Sequence, residues 1–303
     1  MVLENFDVII VGGSYSGLAA AMALGRALTP VLVIDSGLPC NRQTPHSHNF
    51  LTRDGQTPKQ IATIARQQVQ EYETVTFFRG LAVAARKAGN DWEIEVVSGE
   101  VFRAGRLVFA TGIRDILPSI DGLGECWGIS VLHCPYCHGY EVAGAKTGIL
   151  ANGDGAIEMA TLISNWTKDL TLYTNGPSGL TAEQENQLTT RQIRIIDKEI
   201  ANLAHIDGQV QNLIFRDGSQ SPVKAIYTRA PFVQHCIIPA ALGCEQTEEG
   251  HIKVDTFQET TVSGIYACGD NTSRIRTVAH AVAAGTMAGI AISRKMIFEN
   301  FKK

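Results

Sequence analysis

A chain of 303 residues with 45% hydrophobic and 18% charged side chains has the length for two domains of ordinary size, each with its own core. Its formal net charge of −4 lacks the basic excess that nucleic acid or an anionic membrane surface would require, so neither is expected as a partner. The N-terminus, Met1 to Asp7, has no basic region and leads into a short apolar run that ends in glycines, and no stretch comes near the roughly 18 apolar residues of a membrane span. A cytoplasmic protein is expected.

Asp7-Val8-Ile9-Ile10-Val11 is β-branched in the manner of a buried parallel strand. Gly12-Gly13-Ser14-Tyr15-Ser16-Gly17 follows, then an Ala-rich helix from Leu18 to Leu28 and a second strand, Val31 to Ile34, that ends in Asp35. This is a βαβ unit of the dinucleotide-binding type. Amides at the helix start would receive a pyrophosphate, and Asp35, 18 positions after Gly17, is close to the about 20 expected of a ribose-binding carboxylate. Ser14 takes the place of the middle glycine in the Gly-x-Gly-x-x-Gly frame, and it is small enough to let the backbone approach phosphate.

Residues 39–58 form a long polar loop with Arg42, Gln43, His46, His48 and Asn49, and such loops are functional or disordered. Solvated side chains are one reading of its two histidines. An amphipathic helix is expected over 59–72, short strands at 75–78, 81–86 and 92–97, and a buried strand at 107–110 that ends in Thr111-Gly112, where glycine lets a ligand come close. Residues 117–124 read as a linker.

His133-Cys134-Pro135-Tyr136-Cys137-His138 holds the one Cys-x-x-Cys of the chain. Cysteines at this spacing can close a small disulfide ring, and flanking imidazoles can hold or shuttle the protons of thiol–disulfide exchange. The string also fits c-type haem attachment, a zinc knuckle or the Cys-Pro-Tyr-Cys of glutaredoxin, and six residues do not choose among these chemistries. In a reducing compartment a catalytic or metal-binding pair is favoured over a permanent bridge.

A second βαβ unit follows, with a strand at 147–151, a turn from Asn152 to Ala156, a helix at 157–166 and a strand at 170–173. Its Gly-x-Gly-x-x-Ala frame is met at Gly153 and Ala156 but begins with Ala151. The run from Thr174 to Gly179 offers neither a carboxylate for an NAD ribose nor an Arg for an NADP phosphate. A pyridine nucleotide site of unreadable preference is expected here. Short strands and turns then lead to residue 231, and a linker-like passage at 238–243 leads into Ile252-Lys253-Val254-Asp255. A strand from Thr261 delivers Gly269-Asp270, and an Ala-rich helix covers 277–296. Cys40, Cys126, Cys236, Cys244 and Cys268 have no partner at close spacing and read as small buried hydrophobes.

The order of these motifs resembles that of the low-molecular-weight thioredoxin reductases, and the match covers nearly the whole chain. The flanks of the cysteine pair, from His133 to Glu141, together with His48-Asn49-Phe50-Leu51-Thr52, look similar to the branch of gliotoxin- and holomycin-type dithiol oxidases. The resemblance implies an α/β fold of two Rossmann-like three-layer domains, with an NAD(P) domain at 117–243 inserted into an FAD domain made of 1–116 and 244–303. It implies FAD on Gly12, Ser14, Gly17, Asp35, Arg42, Gln43, Asn49, Val83, Thr111, Gly112, Gly269 and Asp270, with Val278 and Ala279 near the flavin ring. NADPH or NADH is implied at Gly153 and Ala156.

Cys137 would face the flavin, Cys134 would exchange with an outside disulfide, and His138 and His133 would act as acid and base. The implied partner is a thioredoxin-like protein or a small disulfide or dithiol, and the implied assembly is a homodimer. Two positions depart from the family pattern. His138 stands where an aspartate is usual, and no Arg follows the second strand of the NADP domain. Both electron directions therefore stay open, that of a reductase fed by a pyridine nucleotide and that of an oxidase that passes electrons from a dithiol to oxygen.

Overall fold

The computed structural model describes residues 5–302, so Met1 to Glu4, part of the segment expected to carry no export signal, lie outside the described residues. Chain order gives β1 (Asn5–Val11), α1 (Tyr15–Arg26), β2 (Val31–Asp35), α2 (Pro58–Gln70), β3 (Val75–Arg79), β4 (Ala82–Ala88), β5 (Asp91–Val96), β6 (Val101–Phe109) and β7 (Ile113–Asp115). Next come α3 (Leu123–Cys126), β8 (Val131–Leu132), α4 (Pro135–His138), β9 (Thr147–Leu150), α5 (Asp154–Ile163), β10 (Leu170–Tyr173), α6 (Ala182–Thr190) and β11 (Arg194–Ile196). The last elements are β12 (Ile200–Ile206), β13 (Gln209–Phe215), β14 (Gln220–Pro222), β15 (Ala225–Thr228), β16 (Phe232–Gln234), α7 (Ile238–Ala241), β17 (Ile265–Ala267) and α8 (Val278–Phe301).

The chain folds as two compact units. The first contains the residues up to Arg42, Asn49–Arg114 and everything from Phe232 on, and the second contains Gln43–His48 and Asp115–Pro231. One unit is thus inserted into the other, with boundaries that differ from those read in the sequence. Residues 232–243, expected in the inserted domain, belong to the first unit because Ile238 is buried with Ile9, Leu32, Leu107 and Ile265 in its core. The segment Gln43–His48, expected in the first domain, belongs to the second.

In the first unit the sheet runs β3-β2-β1-β6-β5-β4, with β17 along the last residues of β6. β3, β2, β1, β6 and β17 are parallel, while β5 runs antiparallel along the first half of β6 and β4 antiparallel to β5. Alternate residues of each central strand serve opposite faces. Val8, Ile10, Val31, Val33 and Val108 meet α1 and α8, whereas Ile9, Leu32, Leu107 and Phe109 meet Trp92, Ile94, Ile238 and Cys244. A sheet covered on both sides explains why these strands read as continuous apolar runs rather than alternating ones.

In the second unit the parallel sheet β11-β10-β9-β15-β8 is covered on one face by α5 and Leu188 of α6, and on the other by the antiparallel β12-β13-β14. The helix α6 was not anticipated. Its sequence is polar and only Leu188 is buried, although Thr181 and Gln184 form a complete capping box at its start. Ile252 and Val254 form isolated bridges, and the strand expected from Thr261 to Asp270 is reduced to Ile265–Ala267.

By length and composition α8 is long and apolar enough to cross a membrane, contrary to the expectation that no stretch came near. Its small residues Ala281, Ala284, Gly285, Ala288 and Gly289 are buried, and Ala284 and Ala288 join the core cluster that holds Leu18, Ala20 and Leu24 of α1. The two helices lie so close that a Cβ on Gly285 would collide with the Ser16 carbonyl, and one on Gly289 would strike that of Ala20. Gly285→Ala is therefore expected to destabilise the protein by about 1–3 kcal/mol through overpacking, read as a lower midpoint in thermal unfolding.

Candidate active site

Parallel strands place their carboxyl ends on one edge of the sheet, where turns and helix starts gather. At that edge of the first unit β1 gives way to Gly12, whose φ is +105° and whose missing Cβ leaves room for the Ala110 carbonyl. The Gly13 N–H donates to Asp35 Oδ1 at 3.1 Å, which orients the carboxylate at the end of β2. Arg66 Nη1 approaches the other carboxylate oxygen at 3.9 Å.

Thr111 and Gly112 follow β6, and the buried Thr111 Oγ1 has no hydrogen-bond partner among the described residues. Asn271 is fully buried; its Nδ2 donates to the Phe109 carbonyl at 2.8 Å, and its Oδ1 is likewise unpartnered. Gly269 and Asp270 follow β17, with Asp270 Oδ2 3.7 Å from Arg276 Nε. Val278 and Ala279 open α8, the former half-buried against Tyr15 and Ile61, the latter exposed.

Among the helices longer than one turn, the caps differ between the dinucleotide-type turns and the rest. The helices α2, α6 and α8 are capped by the hydroxyls of Thr57, Thr181 and Thr277. The helices α1 and α5, which open the two dinucleotide-type turns, have no side-chain cap from Ser14 or Gly153. Their first-turn amides are left without a side-chain acceptor, the condition under which a helix start receives an anion. Orphaned Thr111 and Asn271 oxygens, the oriented Asp35 and the uncapped α1 together fit a dinucleotide such as FAD.

The remaining residues of the expected flavin set are more scattered. Asn49 is exposed and its N–H donates to Asp54 Oδ1 at 2.7 Å. Val83 is exposed on β4, shortly after Gly80, whose N–H donates to the Asp35 carbonyl. The Arg42 guanidinium donates to the Pro39 carbonyl at 3.2 Å. Gln43 lies in the second unit, where its amide donates to the Trp127 carbonyl.

The turn after β9 is built differently. Gly153 takes a φ of +58° before α5, and Ala156 is buried in its first turn. Asn152 Oδ1 accepts from the N–H groups of both Gly153 (2.9 Å) and Gly179 (2.8 Å), while its Nδ2 donates to the Thr174 and Pro177 carbonyls. One amide side chain thus closes the loop at 174–179 over the turn. Asp154 adds a carboxylate to the first turn and accepts from Gln184 Nε2 at 2.7 Å.

The cysteine pair sits at the same edge of the second unit, at the end of β8, a strand too short to be read from sequence. Cys134 and Cys137 are joined as a disulfide with their Cα atoms 5.3 Å apart. Cys134 precedes the single turn α4, Pro135 fills the first helical position, where its missing N–H costs nothing, and Cys137 returns beneath Cys134.

His133 stacks on Trp127 with ring centroids 5.8 Å apart. His138 packs edge-on to His48 at 6.4 Å, and His48 Nε2 lies 3.4 Å from Glu141 Oε1. Burial holds His138 below the ordinary imidazole range; the Glu141 carboxylate pulls it back up, and His48 pushes it down. The neutral form of His138, a base, is therefore favoured beside the sulfurs. Sequence reading placed His133 and His138 here, left His48 open between a solvated and a functional loop residue, and assigned no catalytic role to His48 or Glu141.

The sequence model of the pyridine nucleotide-disulphide oxidoreductase family matches residues 6–285. A thioredoxin reductase of Claviceps purpurea, tcpT, is 32% identical over 96% of this chain and 94% of its own length. An oxidoreductase from Agrobacterium tumefaciens is 38% identical, with a TM-score of 0.90 over 97% of this chain and 99% of that one. A putative thioredoxin reductase, TrxB, from Bacillus anthracis has a TM-score of 0.93 at 29% identity, over 98% and 100% of the two chains.

His138 also makes stability depend on pH. Its folded pKa lies below the unfolded value of 6.5, so the unfolded chain binds the proton first as pH falls. The stabilisation is complete above that unfolded value and is lost as pH falls through the folded one. Thermal midpoints measured between about pH 7.5 and about pH 5.5 should fall less steeply in His138→Gln than in the wild type.

Proposed function

Because the chain belongs to the pyridine nucleotide-disulphide oxidoreductase family, whose thioredoxin reductase-like members use FAD and NAD(P)H, we propose that Cys134–Cys137 is the relay of an FAD-dependent thiol–disulfide oxidoreductase. The observation that carries this reading is the disulfide itself, set at the carboxyl edge of a parallel sheet beside a buried imidazole. In this reading FAD rests on Gly12, Ser14 and Gly17 through its pyrophosphate and on Asp35 through a ribose, with Thr111, Gly112, Gly269, Asp270, Val278 and Ala279 along its length. When bound it supplies the two-electron carrier. Gly153 and Ala156 mark the place for a pyridine nucleotide.

The chemistry of the sulfurs balances without further reagents once the pair is reduced. The Cys134 thiolate attacks an outside disulfide, forming one S–S bond as the substrate's own breaks, and the leaving sulfur takes a proton. The Cys137 thiolate then attacks Cys134, closing the internal disulfide and releasing the second substrate sulfur, which takes a second proton. Run backwards, the same steps oxidise a dithiol and release two protons. His138 donates or accepts the proton at the exchanging sulfur, with His133 on the other side of Cys134. A thioredoxin-like protein or a small disulfide or dithiol is the substrate class; a cytoplasmic location, expected from the sequence, and a homodimer, as the family resemblance implies, complete the proposal.

A second reading, dithiol oxidation with oxygen as the electron acceptor, is favoured by the turn at Asn152. There the Gly153 N–H that would meet a pyrophosphate is already bonded, and the Asp154 carboxylate repels one. Anaerobic NADPH or NADH should bleach the flavin absorbance rapidly under the first reading. Failure to bleach, with peroxide formed from added dithiols in air, selects the second. Under either, Cys137→Ser should retain FAD and lose disulfide turnover in a steady-state assay, and retained turnover would remove the pair from the relay.

A further inference from the structure

Each turnover of the sulfur pair moves two protons, yet His138 is half-buried and carries one at a time. We propose that His48 and Glu141 complete a proton path between His138 and solvent, with Glu141 fixing the His48 ring and His48 handing protons to and from His138. The proposal rests on the reading of Cys134–Cys137 as the relay and of His138 as its base.

Three observations carry it. Between Arg42 and Asn49 the chain leaves the first unit for the short segment Gln43–His48, and this excursion ends with His48 edge-on to His138, their ring centroids 6.4 Å apart. Glu141, three residues after His138, meets His48 Nε2 at 3.4 Å, so the two contacts converge on one imidazole from separate elements. The outer two members are open to solvent, with 20% of the His48 side chain and 39% of that of Glu141 exposed, so the path has an exit at Glu141.

In the dithiol-oxidising direction a substrate S–H proton passes to neutral His138, then to His48 and to water at Glu141, which frees His138 for the second proton. In the reducing direction the same protons travel inward. Sulfur electrons take no part in this transfer, so it needs no oxidant of its own. The titratable groups around the path are His46, 6.3 Å from His48, and Tyr227, whose buried phenol is raised first by burial and then by Glu141. His133 lies on the other flank of the pair, stacked on Trp127.

The test is the pH dependence of pair reduction in oxidised holoenzyme under anaerobic dithiothreitol, read by thiol alkylation and mass after the ionisation of the probe is divided out. Glu141 raises His138 and His48 lowers it. Glu141→Gln should therefore move the His138 limb of the profile to lower pH and His48→Gln should move it to higher pH, each by roughly half a pH unit or more. Glu141→Asp should restore the limb, and flavin content and thermal midpoint check that each variant is folded. Two variants that slow exchange without moving the limb, or that move it in the same direction, would overturn the path and leave His138 as base. A limb that survives in His138→Gln would overturn the underlying reading of His138, and the path with it.

Discussion

The carboxyl edge of a parallel sheet is the constraint on which this molecule depends, because both units concentrate their chemistry there. All strands of such a sheet end at the same edge, so the turns that follow them are brought together whatever their separation in sequence. In the first unit this gathers Gly12, Asp35, Thr111 and Asn271, from four stretches of chain, around the uncapped start of α1. In the second it gathers the cysteine pair after β8 and the Gly153 turn after β9, on either side of β15. The Gly285–Ser16 approach serves the same end, since it seats α8 against the helix that the first turn begins.

What a βαβ turn offers a ligand is decided by donors rather than by the glycine frame. Both turns leave their helix without a side-chain cap, but only the second has an amide side chain that takes the N–H groups of the turn for itself. Asn152 spends its oxygen on Gly153 and Gly179 and its nitrogen on two carbonyls of the opposing loop, a four-bond staple from one residue. Asp154 then places negative charge where a helix start favours an anion from outside.

Local signals in the sequence carried most of the fold and the centre of the site. The strand, glycine turn, helix and acidic end at residues 5–35 lie within one stretch, and the cysteine pair and its flanking histidines are contiguous. The missed features are of another kind. β8 is two residues long and has no period to read, and the first half of β6 mixes charge and Gly105 with apolar residues. The Ile238-Pro239 stretch looks like a linker because proline breaks pattern, yet Ile238 is a core residue of the first unit. The helix α6 had one legible mark, Thr181 followed by Gln184, which its single buried residue did not reinforce. His48 was marked only as part of a motif in a polar loop, and its pairing could not be read, because Glu141 and His138 lie far along the chain and only the folded second unit joins them.

An imidazole at position 138 does not by itself choose the direction of electron flow. By microscopic reversibility, a group that accepts a proton when a dithiol closes to a disulfide donates it when the disulfide opens. Burial that keeps His138 neutral, moderated by Glu141, readies it as a base without changing the overall equilibrium. The direction follows from which reductant reaches the flavoprotein, a nicotinamide or a dithiol. Asn152 and Asp154, some fifteen residues beyond the redox cysteines, set what the second turn offers a nucleotide, the one by holding the Gly153 N–H and the other by adding a carboxylate to the helix start.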